Sequence, residues 1–285
     1  MTLVSPDPAT LASAVAAALA EDLGSAGDVT SLAVVPAGRR GHATFVAREP
    51  MVIAGLPVAR EVFRQLDPTV VFTPHAADGA RVASGATVAT AEGPARALLE
   101  GERTVLNFLQ RMSGIATATR AAVEEIRGTG ATILDTRKTA PGLRKLDKYA
   151  VAAGGGSNHR AGLYDAAMVK DTHLGVAVSL GAAIAACRSA GLPPETITAE
   201  VRSAEELEEA IAAGAGRALL DNMTLAALSD CVRRGKGRIV LEASGGLRAG
   251  GLRDVALTGV EFLSLGYLTH SVRAADLAMD LAALP

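Results

Sequence analysis

The second half of the chain repeats one kind of unit. Six short apolar stretches, Thr132–Leu134, Ala167–Val169, Ile197–Val201, Ala218–Leu220, Ile239–Leu241 and Phe262–Leu265, alternate with helix-length segments. Their spacing, roughly 20 to 35 residues, is that of a βα unit, and a strand reaches a parallel neighbour only through such a crossover. The pattern therefore demands an α/β fold with a parallel sheet, either doubly wound or rolled into a barrel. Ser203, followed three places later by Glu206, predicts a capped helix after the third stretch. Each stretch delivers polar residues to what would be one rim: Asp135, Arg137 and Lys138, then Lys170, Glu200, Asp221 and Asn222, Glu242 and Ser244, and finally Gly266 and Thr269. A parallel barrel assembles its chemistry at that rim, so this placement favours the barrel. Six strands are recognisable rather than eight, so closure is not implied.

The first half reads differently. Ala43–Ala47, Met51–Ala54 and Val70–Thr73 are short and strand-like, separated by Gly, Pro and Asp turns, which predicts a small sheet with one or two helices. Thr10–Ala20 predicts an amphipathic helix with Asp7 as its cap and Pro8 in its first turn. It is not read as a signal peptide, since no basic segment precedes it and Glu21-Asp22 follow at once. Glu102–Ile126 has helical spacing with an expected break at Ser113-Gly114, which makes that point the candidate domain boundary. Among 285 residues 49% are hydrophobic and 20% charged, with net charge -2, which argues against disorder and against a polyanion-binding surface. No apolar run approaches the roughly 20 residues that span a bilayer. Cys187 and Cys231 lack metal or redox spacing, as expected of thiols in a reducing, cytoplasmic setting.

Lysine is scarce, and four of the five (Lys138, Lys145, Lys148 and Lys170, against Lys236) fall in one stretch together with Arg137, Arg144, His159 and Arg160. Such a concentration suits carboxylates or phosphates, because Arg offers a planar fork and Lys a compact charge. A solvated basic strip is the plainer alternative, but Lys138 and Lys170 directly follow predicted buried strands. The Gly154–Gly156 run before Ser157-Asn158-His159-Arg160 would let backbone N–H groups approach a ligand, and a flexible linker is its competing reading. Ser244-Gly245-Gly246 and Gly266-Tyr267-Leu268-Thr269 follow the last two strands, where barrel enzymes often cradle phosphate. Glu200 and Asp221 end neighbouring strands and need cationic or hydroxyl partners there. His173 and His270 are read as satisfied loop residues. No zinc spacing, nucleophile elbow, dinucleotide fingerprint or P-loop is present.

The sequence resembles the quinolinate phosphoribosyltransferases along almost its whole length. The resemblance is carried by Glu21-Asp22-Leu23-Gly24, Asp28-Val29-Thr30-Ser31, Glu102-Arg103-Thr104 with Leu106-Asn107, and Ser113–Thr117. It continues through Asp135-Thr136-Arg137-Lys138-Thr139, Pro141–Arg144, Lys148–Val151 and Gly154–Arg160. Leu219–Asn222, Glu242–Gly246 and Leu268–Ser271 complete it in family order. It implies an N-terminal α/β sandwich domain (1–113, joined by a helical C-terminal tail at about 271–285) and an open α/β barrel of parallel strands over 114–270, in a cytoplasmic homodimer. By the same resemblance Arg137, His159, Arg160 and Lys170 hold the quinolinate carboxylates, joined by Arg103 of the partner subunit. Lys138 and the Ser244, Gly245, Gly246 and Gly266, Tyr267, Leu268, Thr269 loops take phosphate. Glu200 and Asp221 hold the ribose hydroxyls and, with Lys138, act as the catalytic set. Magnesium rides on pyrophosphate rather than on a protein cage.

The implied reaction couples quinolinate to phosphoribosyl pyrophosphate with loss of carbon dioxide, for synthesis of NAD. Ala152, Thr172 and Thr198 stand where the family usually has Arg, Asn and Glu, which leaves open a paralogue acting on another heteroaromatic acid. A non-catalytic anion-binding protein would have lost Glu200 or Asp221, and both are present. A sugar-phosphate isomerase would leave the cationic cluster unexplained.

Overall fold

The computed structural model describes residues 3–176 and 179–284. In chain order the elements are α1 (Pro8–Leu23), α2 (Val29–Val34), β1 (Arg40–Ala47), β2 (Met51–Val52), α3 (Leu56–Leu66), β3 (Val71–Pro74), β4 (Arg81–Val82), β5 (Thr87–Pro94), α4 (Ala95–Glu125), β6 (Thr132–Leu134), α5 (Arg144–Gly154), β7 (Ala167–Val169), α6 (Asp171–Leu174), α7 (Leu180–Ser189), β8 (Ile197–Val201), α8 (Ala204–Ala213), β9 (Arg217–Asp221), α9 (Leu225–Gly235), β10 (Val240–Ser244), α10 (Leu252–Leu257), β11 (Phe262–Ser264), α11 (Tyr267–His270) and β12 (Leu277–Ala283). They form two compact units. One takes the chain up to Arg120, Thr139–Gly155 and the chain from Thr269 on; the other takes Ala121–Lys138 and Gly156–Leu268.

The first unit is an antiparallel sheet, ordered β12-β1-β5-β3, with helices packed on it. β1 alternates in burial, so Ala43, Phe45 and Ala47 turn one face inward. Phe45, Phe63 of α3 and Phe72 of β3 meet there with ring centroids 6.1–6.2 Å apart, a separation favourable to aromatic pairs. Asp7 caps α1 by accepting the Thr10 N–H at 2.9 Å. Asp78 caps α3 from a distant loop, accepting the N–H groups of Gly55 and Leu56 at 3.0 and 3.2 Å. Two expectations are corrected in this unit. The C-terminal tail is a strand, not a helix: β12 pairs antiparallel along β1, Leu277 opposite Ala47 and Ala283 opposite Gly41, satisfying an edge that would otherwise expose its N–H and C=O groups. Likewise α4 does not break at Ser113-Gly114 but runs unbroken for 31 residues. The Ser113 hydroxyl accepts the Ala54 N–H at 3.1 Å, and Gly114 lets backbone come close, since a Cβ there would lie 3.2 Å from the Ala275 nitrogen.

The second unit is a six-stranded, wholly parallel sheet ordered β6-β11-β10-β9-β8-β7. β6 and β7 are its two edges, so the barrel is open, as the resemblance implied. All five residues of β8 are buried, the condition of a parallel strand covered on both faces. Ser203 caps α8 by accepting the Glu206 N–H at 3.2 Å. Every strand runs the same way, so the carboxyl ends of all six deliver side chains to one rim.

Candidate active site

The rim begins at β6. Asp135, fully buried just past this strand, accepts the His159 N–H at 2.8 Å. Ser157 N–H donates to the Ile133 carbonyl at 2.8 Å, so the 157–160 segment is tied to β6. Arg160 lies within reach of the charge on Arg137. Burial pulls the Arg160 pKa down and the Arg137 charge lowers it further. Two guanidiniums within such reach repel, and a dianion that binds both relieves the repulsion. Arg160 is fixed by an Nη1–H bond to the Ala166 carbonyl at 2.8 Å.

His159 is more constrained than its neighbours. Its Nδ1 accepts the Arg160 N–H at 2.7 Å, which leaves the ring proton on Nε2, 3.3 Å from Glu242 Oε2. Both ring nitrogens thus face protein groups, and the ring holds Arg160 in place. Glu242 is itself fully buried on β10, where Arg217 Nη1 of β9 lies 2.9 Å from Oε2 and the Ser264 hydroxyl of β11 bonds to Oε1. Arg217 in turn sits 4.6 Å over the Phe262 ring. Burial drives the Glu242 carboxyl upward, but the hydrogen bonds of His159 and Ser264 and the charge of Arg217 counter it and hold the pKa below its ordinary value.

Further along the rim, Lys170 Nζ lies 2.6 Å from Glu200 Oε2. Arg202, two residues past Glu200, lies 2.6 Å from Asp171 Oδ2 and 3.8 Å from Glu200 Oε1. The hydrogen bond from Arg202, before any other cause, holds the Asp171 carboxyl below the usual carboxylate range. Asp221 ends β9, and Asn222 beside it adopts φ 54 while its Nδ2–H donates to Asp221 Oδ2 at 2.8 Å. Asn222 N–H also donates to the Ser244 carbonyl at 3.0 Å, linking the acid to the loop after β10. That loop needs its glycines: Gly245 and Gly246 have φ 85 and 65, and a Cβ on Gly245 would strike Asn222.

The cationic stretch is shared between the two units. Arg144, Lys145 and Lys148 belong to α5 in the first unit, where Arg144 Nε donates to Thr139 Oγ1 at 3.1 Å, Lys145 pairs with Asp7 at 3.0 Å and Lys148 is buried. The glycine run is also mainly structural. Gly154 ends α5 against α4, where a Cβ would lie 2.6 Å from the Ala116 carbonyl, and the Gly155 N–H bonds back to Ala152. Arg103 is exposed on α4 and Thr269 is buried, both in the first unit. Lys138, Gly266, Tyr267 and Leu268 fall in the second. His173 Nδ1 accepts the Lys170 N–H at 3.0 Å and His270 Nδ1 meets Ser271 Oγ at 2.6 Å, so both are satisfied as expected, though they lie in the short helices α6 and α11 rather than in loops. Arg202, Arg217 and Ser264 were not singled out by the sequence. For Arg202 a signal existed, a cation two places beyond a strand-end acid; the other two are placed by strand register alone. Among the described residues no helix is long and apolar enough to cross a membrane.

Residues 28–113 match the N-terminal domain of quinolinate phosphoribosyl transferase, and residues 115–280 match its C-terminal domain. The chain is 44% identical over 261 residues to the probable nicotinate-nucleotide pyrophosphorylase [carboxylating] of Bacillus subtilis, covering 91% of this chain and 89% of that protein. It is 45% identical over 271 residues to the nicotinate-nucleotide pyrophosphorylase [carboxylating] of Mycobacterium leprae, covering 93% and 94%. The solved nicotinate-nucleotide pyrophosphorylase of Francisella tularensis superposes with a TM-score of 0.91 at 34% identity, over 99% of both chains.

Proposed function

This chain belongs to the quinolinate phosphoribosyltransferase family, and on that premise we propose that it transfers the phosphoribosyl group of phosphoribosyl pyrophosphate to quinolinate, releasing pyrophosphate and carbon dioxide. The observation that carries the reading is the rim that presents Lys170 2.6 Å from Glu200 and, on the neighbouring strand, Asp221. Arg137 and Arg160, with Lys170 and Arg103 of the partner subunit, bind the two carboxylates of quinolinate. His159 joins this set and steadies Arg160 by accepting its backbone N–H. Glu200 and Asp221 take the ribose hydroxyls, while Lys138 and the loops at Ser244, Gly245, Gly246 and at Gly266, Tyr267, Leu268, Thr269 take phosphate.

As the bond from C1 of the ribose to pyrophosphate breaks, positive charge develops on the sugar, and the carboxylates of Glu200 and Asp221 stabilise it. The pyridine nitrogen donates its electron pair to C1, and pyrophosphate leaves with the bonding pair of the broken C–O bond. The ring, now cationic, accepts the electron pair of the departing C–CO2 bond at the carbon beside nitrogen, and a solvent proton then fills that position. No protein nucleophile is needed. When bound, magnesium would supply charge neutralisation to the leaving pyrophosphate. Glu200 and Asp221 are the side chains placed to add ligands, and no group of three or more His, Cys, Asp or Glu among the described residues could hold the ion alone. The working protein is a cytoplasmic homodimer.

The test is nicotinate mononucleotide formation from quinolinate, phosphoribosyl pyrophosphate and magnesium, with nicotinate and other pyridine acids in parallel. Product from quinolinate alone is expected, which would make Ala152, Thr172 and Thr198 neutral replacements. Product from another acid, and none from quinolinate, would overturn the reading.

A further inference from the structure

The order of strands lays out the sugar. The glycine loop proposed for phosphate follows β10 and a second follows β11, the ribose acids end β9 and β8, and β7 lies beyond them. A ribose spanning β10 to β8 therefore has its 5-phosphate at one end and C1, with its pyrophosphate, at the β8–β7 end. Two cations stand there. Lys170 is held by Glu200 at 2.6 Å; Arg202 reaches across from the end of β8 to Asp171 at 2.6 Å and to Glu200 at 3.8 Å. The Arg202 side chain is 55% exposed and open to solvent, whereas the Glu200 side chain is only 7% exposed.

We propose that Arg202 binds the pyrophosphate of phosphoribosyl pyrophosphate and stabilises it as it leaves. The inference rests on the phosphoribosyl-transfer reading and names a residue that the family resemblance did not assign. A planar guanidinium offers two parallel N–H donors to a pair of phosphate oxygens, and charge on those oxygens grows as the C1–O bond breaks. Without ligand the same donors rest on Asp171 and Glu200. When the substrate binds, Arg202 exchanges the Asp171 carboxylate for phosphate oxygens, and Glu200 turns to the ribose hydroxyl next to C1.

The experiment uses the full chain with magnesium and compares Arg202→Ala, Arg202→Lys and Asp171→Ala with the parent protein. Loss of one charge-assisted contact predicts that Arg202→Ala raises both KM for phosphoribosyl pyrophosphate and the inhibition constant of inorganic pyrophosphate by about tenfold or more. KM for quinolinate stays within about twofold, a margin under 0.5 kcal/mol. Arg202→Lys restores part of the loss. Asp171→Ala, which removes only the resting partner, leaves pyrophosphate inhibition unchanged or tighter.

Pyrophosphate inhibition unaltered in Arg202→Ala would overturn the proposal. So would an Asp171→Ala variant that copies Arg202→Ala, because the pair would then be only a latch between two loops. A parent protein that forms no nicotinate mononucleotide fails at the earlier reading instead. In that case binding of inorganic pyrophosphate, followed by calorimetry in Arg202→Ala and the parent, still decides the role of Arg202.

Discussion

At the scale of single residues, the rim depends on a carboxylate that never reaches solvent. Glu242 stays ionised inside the barrel because His159, Ser264 and Arg217 together outweigh its burial and leave its pKa lowered. A carboxyl with a lowered folded pKa adds stability above its ordinary value of 4.5, and that stability disappears as pH falls through the folded value. Glu242→Gln leaves Arg217 without its counter-charge, and removing one partner of a buried pair typically costs about 3 kcal/mol. Urea melts should show a loss of that size at pH 7, narrowing below pH of about 4 as the parent protein also becomes protonated. A gap that stays constant with pH would mean that Glu242 is not ionised in the fold. In the sequence Glu242 is visible as a polar strand residue, but its partners are not. They come from β9, β11 and the segment before β7, and only strand register brings them together.

Secondary structure was most legible where periodicity and caps agree. Thr132–Leu134, Ala167–Val169 and Ile197–Val201 are strands within the predicted bounds, and Asp7 and Ser203 cap the helices that they announce. The two misread elements have different sources: the break at Ser113-Gly114 was a local sequence signal, and the helical tail was implied by the resemblance. Gly114 reads as a helix break, yet α4 continues because the glycine makes room for the 273–275 segment, whose own register leads into β12. The resemblance implied a helical tail, yet β1 offers the tail an edge along which it pairs as a strand. Gly114→Ala tests the first point against propensity. Alanine favours a helix by about 1 kcal/mol, so an ordinary interior site would be stabilised. Here the added methyl meets backbone, which cannot rotate away, and a net loss of about 2 kcal/mol is expected from overpacking. A lowered urea midpoint with unchanged far-UV circular dichroism supports this account, whereas a raised midpoint would show that the 273–275 backbone yields.

For the whole molecule, the chain is not divided by a single cut. Thr139–Gly155 returns to the first unit between two segments of the second, and the residues from Thr269 on return again. Nothing in local composition marks such an interleaved path, since α5 looks like any helix between two strands. The path also parts the expected site residues, with Arg103 and Thr269 in one unit and Arg137, Arg160, Lys170, Glu200 and Asp221 in the other. The proposal that Arg103 serves the site of a second copy therefore needs a test of assembly rather than of a single chain. Arg103→Ala and Asp221→Asn should each be nearly inactive alone. In a mixed dimer of the two, one site carries both lesions and the other carries neither. Random refolding of an equal mixture makes half the dimers mixed, each with one intact site, so about a quarter of the parent activity should return. Recovery at that level establishes that Arg103 acts across subunits. An inactive mixture whose mixed dimers are verified by native mass spectrometry would place Arg103 in the site of its own chain, and an active Arg103→Ala variant would remove it from the site altogether.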